Sequence, residues 1–182
     1  MWDINLDEKA LLEDWYENAF GPAKVPMKRM VERWARSWRP ISSELGNSYQ
    51  DIAEAEKLAA GNPAVLARVD DYARYLHYLR LYCEFLNTPG YDTASRVVEY
   101  LLDINDSRMT QTTRFLDWFT LKVKQYPALA EEFHLADKPS DKNGPGWARV
   151  HSLTHDEVVA LIRDGMKTYP PPDFEVRTYS GK

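Results

Sequence analysis

Apolar residues recur at helical spacing along most of the chain, and strict apolar–polar alternation appears only in the C-terminal tail. Asn5 with Glu8 three positions on has the capping-box pattern, which satisfies the free amides of a first turn and predicts a helix running to about Phe20. Leu6, Leu11 and Trp15, together with Leu12, Tyr16 and Phe20 one turn off, give that helix its apolar stripe. Glu8, Glu13, Asp14 and Glu17 face away. Gly21-Pro22 ends it, and a second helix begins between Pro22 and Pro26, since proline is tolerated in a first turn. Its inner face carries Met27, Met30, Val31, Trp34 and Trp38, and Pro40 closes it. A third helix is expected from about Tyr49 to Ala60, with Gly61 as a left-handed cap.

The strongest signal is the run that Asn62 caps and Pro63 opens, which reaches about Leu86 with no internal glycine or proline. Val69, Tyr72, Leu76, Leu79, Cys83 and Leu86 form one seam, and Tyr75, Tyr78, Leu81, Tyr82 and Phe85 cover most of the remaining circumference. A helix apolar nearly all round is buried between neighbours. After the turn Asn87-Thr88-Pro89-Gly90, Val97 to Ile104 marks a shorter helix, Phe115 to Val123 another, and Pro127 to Phe133 a short piece. Residues 137–146, rich in Pro, Gly and charge, read as a surface loop. Thr154 and Glu157 repeat the capping box before a last helix to about Thr168, and Pro170-Pro171-Pro172 forces extended chain. The expected architecture is all-α, a compact bundle of about six or seven helices around a long central helix at about 63–86. Residues 1–169 form the helical domain, and 170–182 form a Pro-rich extended tail or linker.

Composition supports one folded domain: 182 residues with 44% hydrophobic and 13% aromatic side chains are enough for a sizeable core. A formal net charge of −5 argues against nucleic acid, whose phosphates need a concentrated basic surface. No apolar run approaches the roughly 20 residues that span a bilayer. The single cysteine, Cys83, sits in an apolar helical run as a small hydrophobe and says nothing of compartment.

Candidate chemistry is sparse. The basic run Lys24, Lys28, Arg29, Arg33, Arg36 and Arg39, interleaved with Trp34 and Trp38, is better read as a solvated helix face beside a core face than as an anion surface. His151 and His155 have metal-ligand spacing, but the cap at Thr154 divides them and no third ligand follows, so no metal is expected. His77, among Tyr75, Tyr78 and Arg80, reads as a hydrogen-bonded structural histidine. The pairs Glu13/Asp14, Asp70/Asp71 and Glu131/Glu132 are adjacent on helices, diverge by about 100° and cannot flank a scissile bond. Phosphate loops, nucleophile elbows and Cys-His pairs are missing from the sequence, and no catalytic residue or cofactor is assigned. Trp34, Trp38, Tyr75 and Tyr78 with Arg74 and Arg80 are the candidates for a carbohydrate-binding or interface surface, since aromatic faces and charged donors suit polyols. Core packing competes for the same side chains.

Trp2-Asp3, Ala10-Leu11-Leu12, Trp15-Tyr16, Ala19-Phe20-Gly21-Pro22-Ala23 and Pro26-Met27 together resemble a recurrent stretch of bacterial α-glucuronidase-like, glycoside-hydrolase-related proteins of a domain-of-unknown-function family. The helix Arg68-Val69 to Tyr82 is similar to that family's second helical block. The resemblance implies a helical module that follows a catalytic (β/α)-barrel, with the acid and nucleophile in the barrel and none here. It makes the chain a non-catalytic accessory domain that supports or rims the barrel's active site or mediates dimerisation. Its implied partners are that adjacent barrel, a carbohydrate, or a second copy in a homodimer, and they include neither nucleic acid nor membrane. A secreted or periplasmic parent is compatible with it, although this chain names no compartment. An opening close to a helix cap and a charged, extended close fit a piece of a larger protein. The competing expectation is a free-standing helical interaction module that binds a peptide or partner protein.

Overall fold

Asp7 caps the first helix: its carboxylate accepts from the amides of Lys9 and Ala10, at 3.0 and 3.4 Å. The structure is a computed structural model that describes residues 7–37, 41–105, 107, 109, 115, 126–133 and 153–171. The helices are α1 (Glu8–Phe20), α2 (Lys24–Ser37), α3 (Ser42–Ala59), α4 (Pro63–Asn87), α5 (Tyr91–Asp103), α6 (Pro127–Glu132) and α7 (His155–Thr168). The described residues contain no strand, so the fold is all-α. The expected Asn5 cap, the Phe115–Val123 helix apart from Phe115 itself, the 137–146 loop and residues 172–182 lie outside the described residues.

Phe20 to Met27 is a corner that buries Phe20, Ala23, Pro26 and Met27 and leaves Pro22 and Val25 exposed. Gly21 takes φ +43°, a left-handed conformation that costs glycine little, and its amide donates to the Glu17 carbonyl. Pro22 then sits in a single 3₁₀ turn, Gly21–Ala23, that leads straight into α2. Phe20, Ala23 and Met27 are fully buried around it.

The third helix begins about two turns before the expected Tyr49. Gly46 and Asn47 are poor helix formers and suggest a loop, but tertiary packing overrides them because α3 crosses the end of α7 there. A Cβ on Gly46 would lie 2.8 Å from the Tyr169 carbonyl oxygen and 2.9 Å from that of Pro170. Further along the same crossing, a Cβ on Gly165 would lie 2.2 Å from the fully buried Tyr49 ring. Gly61 follows α3 without the expected left-handed conformation, since Gly21 is the positive-φ glycine of the described residues. The Asn62 side chain accepts from the Val65 amide at 3.2 Å and starts α4 as expected.

α4 is central and joins two hydrophobic clusters. Its first half, through Val65, Val69, Ala73 and Leu76, packs with Phe20, Met27, Met30, Tyr49, Ile52, Val158 and Ile162. Its second half, through Tyr78, Leu81 and Phe85, packs with Val97, Val98 and Leu101 of α5 and with Leu129 and Phe133. Trp34 and Leu153 touch both clusters and bind them into one body. The Thr154–Glu157 capping box is complete, with the Thr154 amide donating to the Glu157 carboxylate at 2.7 Å.

Candidate functional site

α4 turns about 100° per residue, so the candidate side chains it carries cannot all share one face. Tyr75 and Tyr78 lie on the same side as Tyr72, Tyr82 and Phe85, and Trp34 of α2 closes against them. Trp34 lies 6.3 Å from Tyr72 and 6.1 Å from Tyr75, Tyr75 lies 5.9 Å from Tyr78, and Phe115 stacks on Tyr78 at 5.0 Å. The result is a wall of packed rings. Tyr78 is buried, Tyr75 and Trp34 are partly buried, and the Trp34 indole donates to the Ser48 hydroxyl at 2.9 Å. Burial holds the Tyr75 and Tyr78 phenols above their ordinary range. Trp38 lies outside the described residues.

The two arginines are separated from that wall. Arg80 points about 160° away from Tyr78 around the helix, where it pairs with Glu84 at 2.9 Å and with Asp164 of α7, and covers the Tyr169 ring at 5.7 Å. Arg74 pairs with Asp71 and donates to the Leu153 carbonyl, which anchors the segment entering α7. Both guanidiniums hold helices together.

The remaining titratable groups are internal as well. His77 is packed edge-on against Tyr100 at 4.7 Å, and its Nδ1 has no hydrogen-bond partner among the described residues, contrary to the expected hydrogen bond. Burial, reinforced by Arg80, lowers its pKa to about 4. Burial pushes the Cys83 thiol up to about 11, which makes it a poor nucleophile at neutral pH. His155 Nδ1 lies 3.1 Å from Asp70 and its Nε2 lies 3.7 Å from Glu56, so it bridges α7 to α4 and α3. Burial raises the Asp70 carboxyl, with His155 opposing. Among the described residues no cluster of three His, Cys, Asp or Glu is placed to hold a metal ion. His151 lies outside them.

The basic run of α2 is an ion-pair seam between helices. Lys24 pairs with Glu13 and Glu17 of α1, and Lys28 pairs with Glu13 and Glu32. Arg29 and Arg33 converge on Asp51 of α3, only 3% exposed, and reach Glu54 and Glu44. An open cleft of about 360 Å³ beside this seam is lined by Glu13, Lys24, Val25, Lys28, Arg29, Glu32 and Arg36. Its cations are matched by the seam's own carboxylates, which leaves little net charge to attract an anion.

What the hydrophobic pattern does not distinguish is which half of the α1 stripe faces inward. Tyr16 and Phe20 are buried, whereas Leu11, Leu12 and Trp15 are 52%, 47% and 43% exposed. Both sets recur at helical spacing, and both read as core. Trp15 is held edge-on by Tyr16 at 4.8 Å and by Phe20 at 5.5 Å, so its ring has a fixed place on the surface. Val25, Ile41, Leu58, Leu86 and Tyr91 are the other large apolar side chains exposed among the described residues, and Leu11, Leu12 and Trp15 are the set grouped on one helix. No protein-family model, curated protein or solved structure matches the chain.

Proposed function

We propose that this chain is a non-catalytic helical docking domain whose contact surface is the outer face of α1. The observation that carries the reading is the exposure of Leu11, Leu12 and Trp15 on a helix that seals its neighbouring Tyr16 and Phe20 into the core. The chemically capable side chains support it from the other direction: Arg74, Arg80, His77, Cys83 and Asp51 are spent on packing or on pairs between helices.

The setting implied by the resemblance, an accessory module beside a glycoside-hydrolase-like barrel, is compatible with this surface, and the barrel is then the docked partner. The Phe20–Met27 corner on which that resemblance leans has a packing reason at each of its buried positions. It therefore speaks for a helical corner more than for a carbohydrate. The aromatic wall of Trp34, Tyr75 and Tyr78 is largely turned into the bundle and suits the core role better than a sugar platform.

The test is direct assay of the purified chain on a panel of aryl glycosides. No turnover above buffer is expected. Turnover that copurifies with the chain and is lost in a single carboxylate variant with unchanged helical circular dichroism would overturn the reading.

A further inference from the structure

We propose that the outer face of α1 takes a basic amphipathic helix of a partner protein, an inference that rests on the docking reading and names its partner. The exposed ridge runs along Leu11 and Trp15, with Leu12 beside them. Helical spacing puts Glu8 one turn N-terminal, between Leu11 and Leu12, and sets Asp14 about 60° to the side of Leu11. Asp7 adds a third carboxylate at the N-terminal end, where it caps the helix. Glu8 and Asp14 are exposed and have no ion-pair partner among the described residues, whereas Glu13 and Glu17, on the flank toward α2, are matched by Lys24 and Lys28. Among the described residues Lys9 lies at the N-terminal end of α1 and Arg68 reaches its C-terminal end, where it donates to the Ala19 carbonyl at 2.9 Å, so the unmatched carboxylates belong to the N-terminal half of the face.

An apolar ridge with unmatched carboxylates along its rim is complementary to one kind of occupant. A helix presenting Leu-type side chains at i, i+3, i+4 and i+7, with Lys or Arg on its flanks, buries the ridge and neutralises the rim together. A second copy of α1 would bring the same carboxylates face to face, which costs affinity. An anionic lipid surface is repelled by the same charges. Trp15 supplies the kind of large, already positioned ring that anchors such contacts.

The experiment is fluorescence anisotropy of a labelled Leu/Lys amphipathic helical peptide titrated with the purified chain. Three controls accompany it: the same peptide with Glu for Lys, a same-composition scramble without an apolar face, and the variant L11S/L12S. Binding of the Leu/Lys peptide alone is expected, weakened at least about tenfold in L11S/L12S and weakened by salt. Equal binding of the scramble, or affinity unchanged in L11S/L12S, overturns the proposal, as does failure of the Leu/Lys peptide to bind. Sedimentation of the chain alone separates the two readings. A concentration-dependent dimer that L11S/L12S abolishes keeps this face as a docking surface and replaces the basic helix with a second copy. Glycosidase turnover by the chain alone removes the docking reading itself.

Discussion

Trp15 and Trp34 stand on neighbouring helices at equivalent-looking positions of apolar stripes, yet the molecule uses them in opposite ways. Trp34 is locked between two clusters, its indole N–H satisfied by Ser48, with rings of α4 against it. Trp15 lies against Tyr16 and Phe20 on one side and faces solvent on the other. The difference comes from the neighbours. α2 is flanked by both α1 and α3, and α4 is packed by α3, α5 and α7, whereas α1 packs against α2 and α4 and leaves Leu11, Leu12 and Trp15 about half exposed among the described residues. A fold that concentrates its close crossings at α3, α4 and α7 leaves α1 as the place where large apolar side chains can serve something else.

The sharpest way to break this contrast is at the tight crossing. Gly165→Ala drives a Cβ into the Tyr49 ring, and because that ring is fully buried it has nowhere to turn. A loss of about 3 kcal/mol or more in urea unfolding is expected; a loss below about 0.5 kcal/mol would mean that the crossing is loose and the contrast false. Acid is the next lever. His77 has a folded pKa of about 4 against an ordinary value of about 6.5. The unfolded chain therefore binds the extra proton between those values, so stability is complete above pH 6.5 and falls as pH drops toward 4. The loss is up to about 3 kcal/mol. Asp70, raised by burial, works in the opposite sense and offsets part of it, since the folded chain holds that proton more readily. Urea midpoints at pH 7, 5.5 and 4.5 measure the slope, and His77→Phe should flatten it; an unchanged slope would show that His77 is not its source.

Smaller effects sharpen the comparison. Asp51→Ala leaves Arg29 and Arg33 without their shared carboxylate; Arg29 is half exposed and can rehydrate, so about 2 kcal/mol is expected rather than the full cost of a buried charge. Thermal denaturation at low and high salt distinguishes this loss from simple cavity formation. At the other end of the scale, L11S/L12S should cost about 1–2 kcal/mol, because both side chains are already half in water and each gives up only part of a full leucine burial. A loss of several kcal/mol would place the ridge in the core after all.

Much of this architecture can be read from the chain. Asn62-Pro63 and Thr154 with Glu157 mark their helices correctly, because caps are local chemistry between residues three apart. α3 begins earlier than its sequence suggests, since Gly46 reads as a breaker until the carbonyls of Tyr169 and Pro170 are seen against it. The charged α2 stripe reads as solvated for a similar reason: Glu44, Asp51 and Glu54 lie 11 to 25 positions away from the arginines they pair with, and only the α2–α3 packing brings them close. Spreading of Tyr75, Tyr78, Arg74 and Arg80 around α4 is legible from helical geometry, but what stands opposite each of them is not. The α1 ridge is the hardest case. Its two stripes are equally apolar, and the choice between them is made by helices elsewhere in the chain.

The account turns on where a partner lands, and hydrogen exchange of the chain with and without the Leu/Lys peptide measures that directly. New protection over Glu8–Ala19, with α7 amides unchanged, is the expected footprint. Protection confined to the charged cleft along α2, or none anywhere at saturating peptide, would contradict it.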